Sequence, residues 1–134
     1  MGARETLAAV KGMGLKTALV SNAGLTSAPH LSWILDNYGL SSYLDVSVFS
    51  DELQIAKPDP RIFQAALDKL DVAAADTVFV GDTPHNDVWG AQAAGIFAVQ
   101  IGGLTRDGVV PQARIERLEE LIGVLRANGS PAPA

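Results

Sequence analysis

Short apolar runs alternate along the chain with longer stretches whose apolar residues recur every three or four positions. Thr17-Ala-Leu-Val-Ser21, Val46-Ser-Val-Phe-Ser50, Thr77 to Val80 and Phe97-Ala-Val-Gln-Ile101 read as strands, with the last taken as the final strand. Their lack of polar alternation suits burial on both faces. Ala3 to Met13 reads as a helix with Leu7 and Val10 on one face, ended by Gly12 and Gly14. Pro29 opens a second, in which Leu31, Ile34, Leu35 and Tyr38 form one stripe and Gly39 is the left-handed terminator. Pro58-Asp-Pro60 starts a third: Asp59 can cap, Pro60 fits the first turn, and Ile62, Phe63, Ala66, Leu67 and Leu70 face inward. A small-residue helix over Asp87 to Ala94 follows, with Gly90 and alanines allowing close approach to the sheet and a stop at Gly95. The spacing of Ile115, Leu118, Ile122 and Leu125 predicts a last helix over Ala113 to Ala127. Asp51 to Lys57 and Gly102 to Pro111 are connections. The alternation predicts an α/β fold: a three-layer sandwich with a parallel sheet and right-handed crossovers. One domain is expected over residues 1–127, with a flexible Pro, Gly and Ala tail over 128–134.

Composition narrows the function classes. The 134 residues are 48% hydrophobic and 19% charged, a globular balance. A net charge of -5 argues against general affinity for nucleic acid or an anionic membrane face. It leaves room for a small anionic substrate, since one lysine and a metal can reverse the local field. Without cysteine there is neither disulfide nor thiolate chemistry, which fits a cytoplasmic protein. No apolar run approaches the ~20 residues needed to span a bilayer. The N-terminus has neither an apolar signal core nor a myristoylation pattern.

The candidate chemistry lies where strands end. Val78-Phe-Val stops at Gly81, and Asp82 and Asp87 follow. Ligands of open parallel sheets bind at the carboxyl ends of strands, and two nearby carboxylates suit a hard cation such as Mg²⁺. The plainer alternative has Asp82 ending a strand and Asn86 or Asp87 capping a helix. Ser21 and Asn22 end the first strand, and Lys57 precedes the Pro-Asp-Pro helix start. A hydroxyl, an ammonium and a carboxylate pair are what a phosphate-and-metal site requires. Taken singly, Ser21-Asn22 is also an ordinary strand end and Lys57 an ordinary solvated lysine. His85 reads as exposed and structural rather than as a proton shuttle, and Trp33 and Trp89 as packing residues.

Leu19-Val-Ser-Asn22, then Ala56-Lys-Pro-Asp-Pro-Arg-Ile-Phe63, then Val80-Gly-Asp-Thr-Pro-His-Asn-Asp-Val-Trp-Gly-Ala91 with Ala94-Gly95, resemble the second, third and fourth motifs of the haloacid dehalogenase-like hydrolase superfamily. The resemblance covers nearly the whole chain and implies a Rossmann-like core. It implies that Ser21 binds the phosphoryl group with help from the Asn22 backbone, and that Lys57 neutralises the phosphoryl group and the nucleophile. Asp82 would ligate Mg²⁺, and Asp87 would support the metal as a ligand or through its water shell. The Gly81-Asp82 form resembles the Mg²⁺-dependent phosphatase branch, whose substrates would be small phosphorylated metabolites.

One departure is large. Family members begin with a strand ending in Asp-x-Asp, whose first aspartate is the nucleophile and second the usual acid/base. No Asp-x-Asp occurs in this sequence. The resemblance places that absent strand mid-sheet, between the strands ending at Ser21 and at Asp82; the cap that sets substrate choice is absent too. Two expectations follow. Either the chain is the phosphoryl- and Mg²⁺-binding part of a phosphatase that works through an aspartyl-phosphate, or it is a non-catalytic phosphate- and Mg²⁺-binding or interaction module. Loss of a central strand also leaves the flanking strands to pair directly or to stay unpaired, and an open edge offers a route to self-association. A response-regulator-like receiver shares the architecture, but its acidic cluster and central phosphorylatable aspartate are not matched.

Overall fold

A computed structural model describes residues 3–21 and 39–127. The predicted helix over Pro29 to Tyr38, Trp33, Asn22 and the tail over 128–134 lie outside the described residues. The protein is α/β with parallel strands, as the alternation of patterns requires. Helix α1 (Ala3–Gly12) leads into β1 (Ala18–Ser21) through Gly14, whose φ of +79° favours glycine. Gly39 likewise adopts φ +70°. Strand β2 (Val46–Phe49) pairs in parallel with β1, Ala18 opposite Val46 and Ser21 opposite Phe49. Ser50 does not extend β2; it opens a short helix, α2 (Ser50–Leu53), inside the expected polar connection.

Helix α3 (Pro60–Leu70) forms where its signals place it. The Asp59 carboxylate accepts from the Arg61 N–H at 2.9 Å, satisfying a first-turn donor. Ile62, Phe63, Ala66, Leu67 and Leu70 are buried, the first four packing with Val20 of β1 and Val48 of β2 into the main core. The Lys57–Pro58 peptide just before it is cis.

A second sheet contains β3 (Val78–Gly81), β4 (Phe97–Ile101) and β5 (Ala113–Ile115), all parallel, in the order β3-β4-β5. Three expectations are corrected here. The small-residue helix starts earlier, as a π-helical turn over Pro84–Trp89 continued by α4 (Gly90–Ala93). Gly90 lets this segment approach Phe63 and Pro58 rather than the sheet: a Cβ there would lie 2.8 Å from Phe63 Cε2. Residues 113–127 are not one helix. Ala113–Ile115 pair with β4, and the Glu120 carboxylate accepts from the N–H groups of Glu116 and Arg117 at 3.1 and 2.9 Å. That cap starts a 3-10 turn, Leu118–Glu120, and then helix α5 (Leu121–Ala127).

The third correction concerns burial. All four residues of β3 are only half-buried, whereas the three central residues of β4 are fully buried. The cause is the sheet arrangement. Among the described residues, β1 pairs with β2 alone and β3 with β4 alone, so two strand edges are left without a ladder partner. A cavity of about 830 Å³ separates them, lined by Ala18, Leu19 and Val20 on one side and Val78 to Asp82 on the other. No helix among the described residues is long and apolar enough to cross a membrane.

Candidate functional site

The best-defined polar cluster lies at the carboxyl end of β3. The chain leaves the strand at Gly81 and turns back so that Asp87, six residues on, lies beneath it. The turn is held by its main chain, with the Asp87 N–H donating to Thr83 O at 2.9 Å. Asp87 is buried, and both its oxygens accept hydrogen bonds. Oδ2 accepts from the N–H groups of Asp82 and Thr83, each at 3.0 Å. Oδ1 accepts from Lys57 Nζ at 2.6 Å. The Lys57 and Asp87 side chains keep 14% and 6% of their exposure, so water screens this ion pair weakly.

Gly81 makes the approach feasible. A Cβ at that position would lie 2.3 Å from Asp87 Cβ and Cγ, far inside contact distance. Glycine is required by that close approach and not by a turn conformation. Lys57 also sits 5.6 Å from the centroid of the Phe79 ring, within cation–π range. Phe79 in turn packs edge-to-face on Phe63, with centroids 4.9 Å apart. The lysine is thus fixed by charge on one side and aromatic surface on the other.

Asp82 is placed differently. Its side chain is exposed, and among the described residues no cation pairs with it. Thr83 Oγ1 donates to Asp82 Oδ1 at 3.1 Å, leaving the other oxygen open. Lys57, Asp82 and Asp87 all line the 830 Å³ cavity. Ser21 closes the carboxyl end of β1, beyond the cavity wall at Val20, and is half-buried. Lys57 and the two carboxylates are therefore brought together, Ser21 stands at the neighbouring strand end, and Asn22 lies outside the described residues. No group of three or more His, Asp or Glu able to hold a metal occurs among the described residues. A cation here would be held by Asp82 together with water and substrate oxygens.

Thr83 was not singled out in the sequence, and Gly81 was read only as the end of the apolar run. Thr83 ties Asp82 to the turn, and Gly81 admits Asp87. The available signal was a glycine at a strand end where no turn geometry demands one. Trp89 is exposed and stacks on His85, with centroids 5.3 Å apart, instead of packing inside as expected. His85 is half-buried in that stack.

Comparison with known proteins identifies relatives of the chain. A family model described as haloacid dehalogenase-like hydrolase matches residues 2–95. (S)-2-haloacid dehalogenase 1 from a Pseudomonas species is 37% identical over 101 residues, 75% of this chain and 43% of that protein. Phosphoserine phosphatase from Thermus thermophilus is 38% identical over 100 residues, 74% of this chain and 39% of that protein. The crystal structure of a HAD phosphatase from Thermococcus onnurineus superposes with a TM-score of 0.81 at 30% identity, covering 90% of this chain and 55% of that one. The chain thus spans about half the length, or less, of these relatives.

Proposed function

The chain belongs to the haloacid dehalogenase-like hydrolase family, and from that premise we propose that it supplies the phosphoryl- and Mg²⁺-binding half of a phosphate-monoester hydrolase. The observation that carries this reading is the Lys57–Asp87 pair, anchored to the amides of Asp82 and Thr83 beside an open Asp82 carboxylate. Relatives of this chain include a phosphatase and a dehalogenase. The carboxylates at Asp82 and Asp87 favour the phosphatase, because hard oxygen donors suit Mg²⁺.

The residues fit that ion. Mg²⁺ keeps several waters and takes one or two carboxylates plus phosphate oxygens. Asp82 would be the direct ligand. Asp87, with both oxygens engaged by protein donors, would orient the loop and act through the water shell. When bound, the ion offsets charge on the phosphoryl oxygens. Lys57 Nζ neutralises the same oxygens and any carboxylate brought against them. The Ser21 hydroxyl and the Asn22 main chain hold the phosphoryl group from the β1 side. The reaction is attack of an aspartate oxygen on phosphorus, with the ester P–O bond breaking as the leaving oxygen takes up a proton; water then cleaves the acyl phosphate. The attacking aspartate lies outside these 134 residues, because no Asp-x-Asp occurs in them. The same missing pair supports a second reading, a module that binds phosphate and Mg²⁺ without turnover.

A generic aryl phosphate with Mg²⁺ tests the division of labour. The 134-residue chain alone is expected to give no turnover above the uncatalysed rate. Rapid turnover would show that the nucleophile is present after all.

A further inference from the structure

We infer that the outer surface of the Pro84–Trp89 turn, together with the loop after β4, is a docking face for an acidic partner segment that carries an apolar anchor. The exposed large hydrophobic residues among the described residues are Trp89, Leu104 and Val110, at 43%, 61% and 74%. Exposed apolar side chains scattered singly need no explanation, but a gathered set marks an interaction site. Strand register and hydrogen bonds gather these three. A Cβ at Gly81 would meet Asp87, so the Pro84–Trp89 turn covers the sheet face to which a Gly81 side chain would point. Gln100 of β4 lies opposite Gly81, and Arg114 of β5 lies opposite Gln100, so both side chains take that same face. Gln100 Nε2 and Arg114 Nη1 both donate to Leu104 O, which draws the loop onto it. Gln92, three residues after Trp89 along the helix, donates from Nε2 to Val110 O at 2.7 Å. All three apolar residues therefore stand on one side of the second sheet. They are also held in place. Trp89 stacks on His85, and the two arms flanking the Arg106–Val109 bridge are tied down through the Leu104 and Val110 carbonyls. A surface already ordered loses little conformational freedom on binding.

Charge selects the occupant. Residues 88–105 carry no charged side chain. The next charges are Arg106, Asp107 and Arg114, so this part of the chain is net positive while the whole carries -5. Both arginines are exposed, and among the described residues neither pairs with a carboxylate. A two-fold contact between copies must be self-complementary. An apolar face bearing two unpaired arginines is not, because it would set like charges together. The occupant is therefore a segment of different chemistry, with an aromatic or aliphatic anchor for the apolar centre and carboxylates for the arginines. Trp and Arg are also the residue types in which interface binding energy concentrates. The inference rests on this surface alone and does not depend on the phosphatase reading.

Titration of the ¹⁵N-labelled full chain, without Mg²⁺, followed by NMR tests it. The probe is the peptide Glu-Glu-Leu-Phe-Glu-Glu; the control replaces every glutamate with lysine. The Trp89 indole and the Leu104 and Val110 amides should shift saturably, with the acidic probe bound at least tenfold more tightly than the basic one. Trp89→Ala should weaken the acidic probe at least tenfold. Arg106→Glu combined with Arg114→Glu should do the same and should bind the basic probe instead. That exchange of preference separates docking from a loss of fold, which would abolish both. Independently of any variant, raising salt from about 0.05 to 0.5 M should weaken the acidic probe severalfold, because the screening length shortens. No binding, shifts confined to other residues, equal binding of the two probes, or indifference to salt would overturn the inference. So would a double variant that keeps the acidic preference. A wild-type dimer in sedimentation that Trp89→Ala dissociates would overturn it too, by showing that a second copy covers the face.

Discussion

At the residue scale, Asp82 and Asp87 look alike in sequence but sit in opposite environments. Asp87 is buried and takes three donors, so its role is to hold Lys57 and the loop amides in place. Asp87→Asn keeps the shape but strands the Lys57 ammonium in a site of low exposure. Removing one partner of a buried pair costs about 3–5 kcal/mol, so thermal unfolding should show a Tm lower by roughly ten degrees. A Tm within two degrees of wild type would mean that the clamp contributes little. The sequence pointed to Lys57, Asp82 and Asp87 because they follow strand ends. Spacing alone could not assign the two carboxylates their parts, which came only from the family resemblance, because burial and hydrogen bonding depend on the fold of the turn. Thr83 was missed for the same reason.

At the element scale, legibility tracked how many independent signals agreed. Helix α3 carried a cap, a proline at its start and a full apolar stripe, and it forms as predicted. Residues 113–127 carried only spacing. Ile115 fits a helical stripe with Leu118 and equally a strand with Ala113, and the ladder offered by β4 decides for the strand. The join between α3 and the turn after β3 depends on Gly90, where a Cβ would meet the buried Phe63 ring. Gly90→Ala should lose about 1–3 kcal/mol by overpacking, measured by denaturant unfolding at constant m-value. The lead-in to β1 is tied by Asp45, which accepts from Lys11 Nζ at 2.6 Å and the Thr17 N–H at 2.7 Å. The Lys11 contact, then the Thr17 amide, holds the Asp45 carboxyl below its ordinary value. A lowered folded-state pKa stabilises at pH above the unfolded value, and that contribution fades as pH falls through the folded one. Asp45→Asn should therefore lower Tm modestly at pH 7, because the pair is exposed and screened. The difference from wild type should shrink below about pH 4. A difference that stays constant into acid would remove the electrostatic account.

At the scale of the whole molecule, the parallel α/β plan was legible from the alternation of apolar runs and helical stripes. The division into two sheets among the described residues is one of two outcomes that the family resemblance left open, since each strand's pattern suits burial on both faces and says nothing of which neighbour supplies it. The half-burial of β3 records the gap that results. Across that gap, the fold brings a lysine, a buried carboxylate and an open carboxylate to one cavity. The central claim is that this constellation binds Mg²⁺ with phosphate through Asp82. Isothermal titration of Mg²⁺ into the full chain, in the presence of inorganic phosphate, measures it directly. Wild type should bind one ion per chain, and Asp82→Asn should weaken binding at least tenfold while leaving Tm within about a degree, since Asp82 is exposed. Equal Mg²⁺ affinity in wild type and Asp82→Asn, or no binding by either, would contradict the account.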